Sequence, residues 1–195
     1  MIDNKIDEIA RKIKELEEEL ATEFKKKEEE FFYKIENEKI RFEEKIIKEG
    51  RLKIISSLQY LSSFSIATIM TIPFIWSMII PAFIADMIVS LYQLICFPIY
   101  KIPKVKRKDY VIMDRYNLFY LGKIEKINCL YCEYFNGVIS YTREVAARTE
   151  QYWCPIKHAK SHKDMHSRYS KFFDYGDYVN YREKLSKIRK DFENL

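Results

Sequence analysis

Apolar residues in the first fifty positions recur at helical spacing. Ile2, Ile9 and Leu16 stand seven apart, as do Ile6, Ile13 and Leu20. Further along the spacing lengthens: Ile13, Phe24, Ile35 and Ile46 stand eleven apart, and so do Leu20, Phe31 and Phe42. A heptad seam favours a left-handed supercoil, an eleven-residue repeat a straight or right-handed one. No proline or glycine precedes Gly50. Residues 2–49 are therefore predicted to form one helix, roughly 70 Å long. Its stripe is narrow and broken by Lys27 and Glu38. Such a stripe buries little against its own chain, which points to self-association as a coiled coil. A lone helix held by Glu–Lys pairs is the alternative.

The next fifty residues reverse this balance. Between Ile54 and Tyr100 only Asp86 is charged. Residues 54–80 and 82–100 are each long enough to cross a bilayer. Pro81 predicts a turn between them, giving a membrane helical hairpin. Pro73 is expected to kink the first helix, and Pro98 lies near the end of the second. Ser56, Ser57, Gln59, Ser62, Ser63 and Ser65 make the start of the first segment polar, so the span itself is expected to begin near Tyr60. Arg51 and Lys53 precede the pair, and Lys101, Lys104, Lys106, Arg107 and Lys108 follow it. Basic residues at both outer ends place both termini in the cytoplasm. They also suit anionic lipid head groups. A re-entrant hairpin that dips in and returns predicts the same sidedness.

Beyond residue 108 the pattern is mixed. Residues 110–113 read as extended, Asn136-Gly137 as a turn, and residues 138–151 and 155–169 as helices. Tyr181, Leu185, Ile188 and Phe192 form a four-three-four stripe on a C-terminal helix. The expected fold class is mainly α. Three regions follow: a charged coiled-coil helix (residues 1–50), a membrane hairpin with basic flanks (51–108) and a cytoplasmic helical domain (109–195).

Candidate chemistry is concentrated in that last region. Cys129, Cys132, Cys154 and His158 have the spacing C-x2-C-x21-C-x3-H. Three thiolates and an imidazole can close a tetrahedral shell around one zinc ion; iron or an iron–sulfur cluster accepts such ligands too. Pro155 fits the first position of a helix carrying His158. The site has a geometric condition. A continuous helix from Cys132 to Cys154 would hold them roughly 33 Å apart, so the chain must double back at Asn136-Gly137, or two chains must share the metal. A redox dithiol at Cys129 and Cys132, or simply packed free cysteines, are the competing readings. Cys96 reads as a packed small residue. His158, His162 and His166 are four apart and share a face if Pro155 starts a helix. Arg143, Glu144, Arg148 and Glu150 are expected to pair with one another and support ligands. Tyr131, Tyr134, Tyr141, Tyr152 and Trp153 suit a membrane–water interface.

Composition adds less. The 195 residues carry a formal net charge of +5, and the mean hydropathy of -0.33 averages charged ends with an apolar middle. The first fifty residues lack an apolar run, so no secretory signal peptide is expected. Four cysteines are too few for a disulfide scaffold in a chain of this size. There is no glycine-rich phosphate loop, nucleophile elbow or HExxH. Basic residues interleaved with aromatics suit nucleic acid as well, but beside an apolar anchor lipid is the expected counter-charge.

The stretches Ile95-Cys96-Phe97-Pro98-Ile99-Tyr100-Lys101-Ile102-Pro103-Lys104-Val105, Ile124-Glu125-Lys126-Ile127-Asn128-Cys129 and Arg148-Thr149-Glu150-Gln151-Tyr152-Trp153-Cys154-Pro155-Ile156-Lys157-His158-Ala159 resemble a family of small bacterial inner-membrane proteins with no established activity. The similarity covers roughly residues 75–160 and implies a bacterial inner-membrane setting. Taken together, the expectation is a non-enzymatic, homo-oligomeric membrane scaffold with a structural Cys3His zinc site. The alternative is a membrane redox or metal-handling protein using Cys129 and Cys132. A third reading makes the chain a subunit of a larger membrane complex, docked through its long helix.

Overall fold

The structure is a computed structural model and describes residues 2–31, 33–36, 39–42, 44–51, 54, 56–160 and 165–192. It is mainly helical, as the periodicities predict. The chain divides into two compact units, Met1–Met70 with Met113–Leu130, and Thr71–Ile112 with Tyr131–Leu195.

In the first unit, helix α1 spans Ile2–Glu30. It is edged by the ion pairs Lys12–Glu8 (2.8 Å), Lys26–Glu23 (2.5 Å) and Lys27–Glu30. Its seam residues Ile13, Leu16, Leu20 and Phe24 are exposed. The single helix expected over residues 2–49 does not form. Strands β1 (Tyr33–Glu36) and β2 (Lys39–Phe42) pair antiparallel, with Tyr33 opposite Phe42 and Ile35 opposite Ile40, and helix α2 (Glu44–Arg51) follows. The aromatic and β-branched run from Phe31 to Phe42 favours strand, and only Asn37-Glu38 separates the two strands. The eleven-residue repeat thus distributes itself over different elements, and Glu38, which interrupts the stripe, lies outside the described residues.

The serine-rich stretch caps helices instead of extending a span. The Ser56 hydroxyl accepts from Gln59 N–H at the start of α3 (Ser57–Ser62). Ser65 accepts from Thr68 N–H (3.2 Å) just before α4 (Ile66–Ser77). Each hydroxyl satisfies an N–H that a helix start leaves unpaired. Within the same unit, Phe42 meets Phe119 edge-on (ring centroids 4.9 Å apart), and Asn128 Nδ2 comes within 3.5 Å of Tyr60 Oη.

Pro81 does not turn the chain. Helix α5 (Ile79–Tyr100) follows α4 with only Met78 between them, and residues 66–100 make one 35-residue helical run. Pro81 has no N–H for the Ser77 carbonyl, which accounts for the local break. Met78 N–H tightens onto the Ile75 carbonyl (3.2 Å), and Ala82 N–H resumes the ladder on Met78 (3.3 Å). One apolar helix therefore stands where a hairpin of two was expected. It ends in a Schellman motif, with Ile102 N–H on the Phe97 carbonyl (2.8 Å), Lys101 N–H on Pro98 (3.3 Å) and Lys101 left-handed.

The core of the second unit forms around that ending. Phe97, Ile102, Val105, Tyr141 and Val145 are buried together. Tyr141 and Val145 belong to helix α6, Lys123–Trp153, which runs unbroken through Asn136-Gly137. Gly137 serves close approach and not a turn. A Cβ there would lie 2.8 Å from Val111 Cα and 2.9 Å from the Tyr110 carbonyl oxygen. At its far end α6 stops because a residue before proline is held out of the helical region. Pro155 is thus a stop signal, not the start of a helix over 155–169. Residues 155–157 are extended, bonding Phe173 through Phe173 N–H to Pro155 O (2.8 Å) and Lys157 N–H to Phe173 O (2.7 Å). Tyr181, Leu185 and Ile188 of the C-terminal stripe lie on helix α7 (Tyr178–Ile188), capped by the Asp177 carboxylate on Asn180 N–H (3.2 Å), while Phe192 lies beyond its end.

Gly137→Ala is expected to destabilise the protein by about 1–3 kcal/mol through overpacking against backbone, despite the better helix propensity of alanine. Thermal unfolding in mild detergent checks this; an unchanged or raised midpoint would contradict the close-approach assignment.

Candidate functional site

The 35-residue run from Ile66 to Tyr100 has a mean hydropathy of 2.0 over its most apolar window and is about 52 Å long. It is long and apolar enough to cross a membrane. Its burial, however, is inverted. The buried residues of α5 are Ala82, Asp86, Gln93 and Phe97, which lie on one helical face. Phe83, Ile84, Met87, Ile88, Leu91, Leu94 and Ile95 are all at least half exposed, and α4 buries nothing, with Phe74 77% exposed. A soluble helix does the opposite.

The inward face is held by polar pairing. Segment 102–112 returns beside α5, and α6 packs along it. Gln93 Oε1 accepts from Val105 N–H (3.0 Å), while its Nε2 donates to the Val105 carbonyl (3.2 Å) and to Tyr141 Oη (2.5 Å). One side chain thus imitates a strand neighbour for Val105. Ser90 Oγ lies 3.3 Å from the same Tyr141 hydroxyl. One turn away, Arg107 grips Asp86 with both arms, Nε to Oδ1 at 2.9 Å and Nη2 to Oδ2 at 2.7 Å, and Tyr134 Oη donates to Oδ2 at 3.0 Å. That carboxylate raises the Arg107 pKa above the usual guanidinium value. Burial first, and then the bond to Asp86, raises the Tyr134 phenol. Tyr131 Oη reaches the Ile75 carbonyl (2.7 Å), and its ring lies 5.1 Å from that of Trp76. Half-buried Tyr131 and Tyr134 and fully buried Tyr141 thus bind the apolar helix through their hydroxyls.

Within the charged stretch of α6 Glu144 pairs with Arg148, and the stretch anchors the C-terminal segment. Glu144 bonds Arg148 Nε (2.8 Å) and Ser167 (2.8 Å), and Arg168 Nη2 lies 3.7 Å away. The Arg148 guanidinium also donates to the Pro103 carbonyl (2.8 Å). Fully buried Gln151 donates to the carbonyls of Ile188 (2.9 Å) and Asp191 (2.6 Å). His166 sits 3.1 Å from Glu150 and accepts from Arg168 N–H through Nδ1 (3.1 Å). Desolvation outweighs Glu150 and lowers its pKa; the Nδ1 acceptor role requires the neutral ring.

The cysteine and histidine ligands are not brought together within the chain. Cys129 and Cys132 lie in α6, and Cys154 follows its end. With no reversal at Asn136-Gly137, Cys132 and Cys154 are separated by about 33 Å of helix, whereas zinc ligands lie about 2.0–2.3 Å from the ion. His158 lies in the extended segment, its N–H donating to Tyr169 Oη (2.8 Å). His162 lies outside the described residues, and His158 and His166 share no helix. Among the described residues no group of three or more histidine, cysteine or acidic side chains is arranged to hold a metal. A one-chain Cys3His shell therefore does not fit this geometry. Cys132 and Cys154 are exposed, while Cys96 and Cys129 are half-buried.

The inward polar face was missed, although a signal was present: Asp86, Ser90, Gln93 and Phe97 recur at four-three-four spacing within an otherwise apolar run. No protein-family model, curated protein or solved structure matches the chain.

Gln93→Ala should cost about 1–3 kcal/mol, because it leaves the Val105 amide without its partner. Amide hydrogen exchange is expected to quicken at Val105 before it does in α6, and unchanged protection there would refute the clamp. Monomeric protein should carry far less than one zinc per chain. Metal analysis of a monodisperse sample tests this, and stoichiometric zinc lost in Cys154→Ser would overturn it.

Proposed function

We propose that the chain is a non-enzymatic, membrane-anchored scaffold whose apolar helix lies in one leaflet rather than crossing the bilayer. The observation that carries this is the inverted burial of α5: Asp86 and Gln93 inside, Phe83, Met87, Leu91 and Leu94 outside. An apolar outer face is stable only against lipid or another apolar surface, and an in-plane helix buries such a face at the head-group boundary.

Two further features favour one-sided anchoring. Segment 102–112, with Lys104, Lys106, Arg107 and Lys108, packs along α5 through Val105 and Arg107. Carrying that charge across a hydrocarbon core with the helix would be costly. In the first unit, residues before the helix pack on residues after it, Phe42 on Phe119. The segments on either side of the apolar run then share a side, and the basic flanks make it the cytoplasmic one. A bacterial inner membrane is the setting that the motif resemblance implies. The exposed seam of α1 (Ile13, Leu16, Leu20, Phe24) supplies the surface for self-association. The competing metal use of Cys129 and Cys132 draws its further donors from a second copy, to which exposed Cys132 and Cys154 are accessible, while the redox use needs only those two thiols.

Purified protein should float with phosphatidylcholine vesicles and resist high salt. Replacing exposed Met87, Leu91 and Leu94 together by glutamate should abolish flotation and leave the circular dichroism spectrum intact. A charged maleimide should label Ser57→Cys and native Cys154 from the same membrane face. Labelling from opposite faces would establish a crossing helix and refute the in-plane anchor.

A further inference from the structure

The first unit carries an open cleft of about 560 Å³. Its walls bring together three cations from separate parts of the chain: Arg41 from β2, Arg51 from the end of α2, and Lys126 from the first turn of α6. Among the described residues, those that line it include no carboxylate. Phe42 and Phe119, packed edge to face at 4.9 Å, and Ile54 line it as well. Asn117 adds an amide.

We infer that this cleft binds the head group and glycerol end of an anionic phospholipid. Two guanidinium groups and an ammonium around one hollow match a phosphate, which arginine recognises with paired N–H groups. A bare anion would leave the aromatic and aliphatic wall without a partner; a phosphate carrying an apolar tail satisfies both halves. The volume lies within the range of small-molecule sites. Ile54 and Arg51 also precede, by twelve and fifteen residues, the apolar run that begins at Ile66. A phosphate monoester free in solution shares the head-group chemistry, so the lipid source rests on the membrane reading above, while the anion specificity of the cleft does not.

The test compares full-length protein on vesicles of phosphatidylcholine alone and of phosphatidylcholine mixed equally with phosphatidylglycerol. Arg41→Gln, Arg51→Gln and Lys126→Gln combined should reduce the preference for the anionic vesicles roughly tenfold or more. Neutralising three exposed lysines of α1 (Lys14, Lys25, Lys26), an equal change in charge, should reduce it less than about threefold. Equal losses in the two variants would reduce the effect to general surface charge and overturn the site. Binding to neutral vesicles reads the anchor separately: its loss in unmodified protein refutes the anchor, whereas its survival in the cleft variant shows that the variant is folded. On unmodified protein, a photoactivatable phosphatidylglycerol should cross-link within residues 41–54 or 117–126, and adducts confined to other regions would overturn the assignment. Inorganic phosphate at millimolar concentration should leave the lipid adduct in place. Its complete displacement would make the ligand a soluble phosphate and refute the lipid.

Discussion

The second unit depends on a single constraint: polar side chains inside an apolar helix must find partners away from water. Asp86, Ser90 and Gln93 cannot face hydrocarbon at low cost. They turn instead toward segment 102–112 and α6, where Arg107, Val105, Tyr134 and Tyr141 meet them. Gln93 has the largest part in this, since it completes both hydrogen bonds of the Val105 peptide and fixes the fully buried Tyr141 hydroxyl. The core of Phe97, Ile102 and Val145 closes over the same contacts.

That constraint also determines what is left outside. Once the polar stripe is satisfied inward, Phe83, Met87, Ile88, Leu91 and Leu94 have no surface of their own chain to cover them. The same run of residues that satisfies the length and hydropathy of a transmembrane helix thus becomes one wall of a folded unit with a lipid-like exterior. Length and composition treat the helix as uniform; the pairing of Asp86 and Gln93 gives it a polar inner face and an apolar outer one.

The cysteine motif is shaped by a different requirement. Close packing of the 110–111 backbone against α6 needs a residue without a Cβ, and Gly137 provides it. Read in sequence, Asn136-Gly137 resembles a turn; in the fold its glycine is the contact point of a straight helix. The helix keeps Cys132 from Cys154, and Pro155 directs His158 into an extended segment. The charged residues near them, Glu144, Arg148 and Glu150, serve the attachment of the C-terminal segment and not a ligand shell.

Much of the secondary structure was legible from local chemistry. Helix periodicity marked α1 and the α7 stripe. The dense apolar stretch from 66 to 100 and its basic flanks were evident from composition alone. What sequence could not decide was every feature that depends on a partner distant along the chain. Pro81 could end a helix or merely loosen it, Gly137 could turn or pack, and the repeat past Leu20 could continue a helix or fold into paired strands. Local propensity differs by only about 1 kcal/mol between such outcomes. Tertiary contacts decided them: Gln93 with Val105, Gly137 with Val111, and Phe42 with Phe119, because burial and hydrogen bonding outweigh so small a preference.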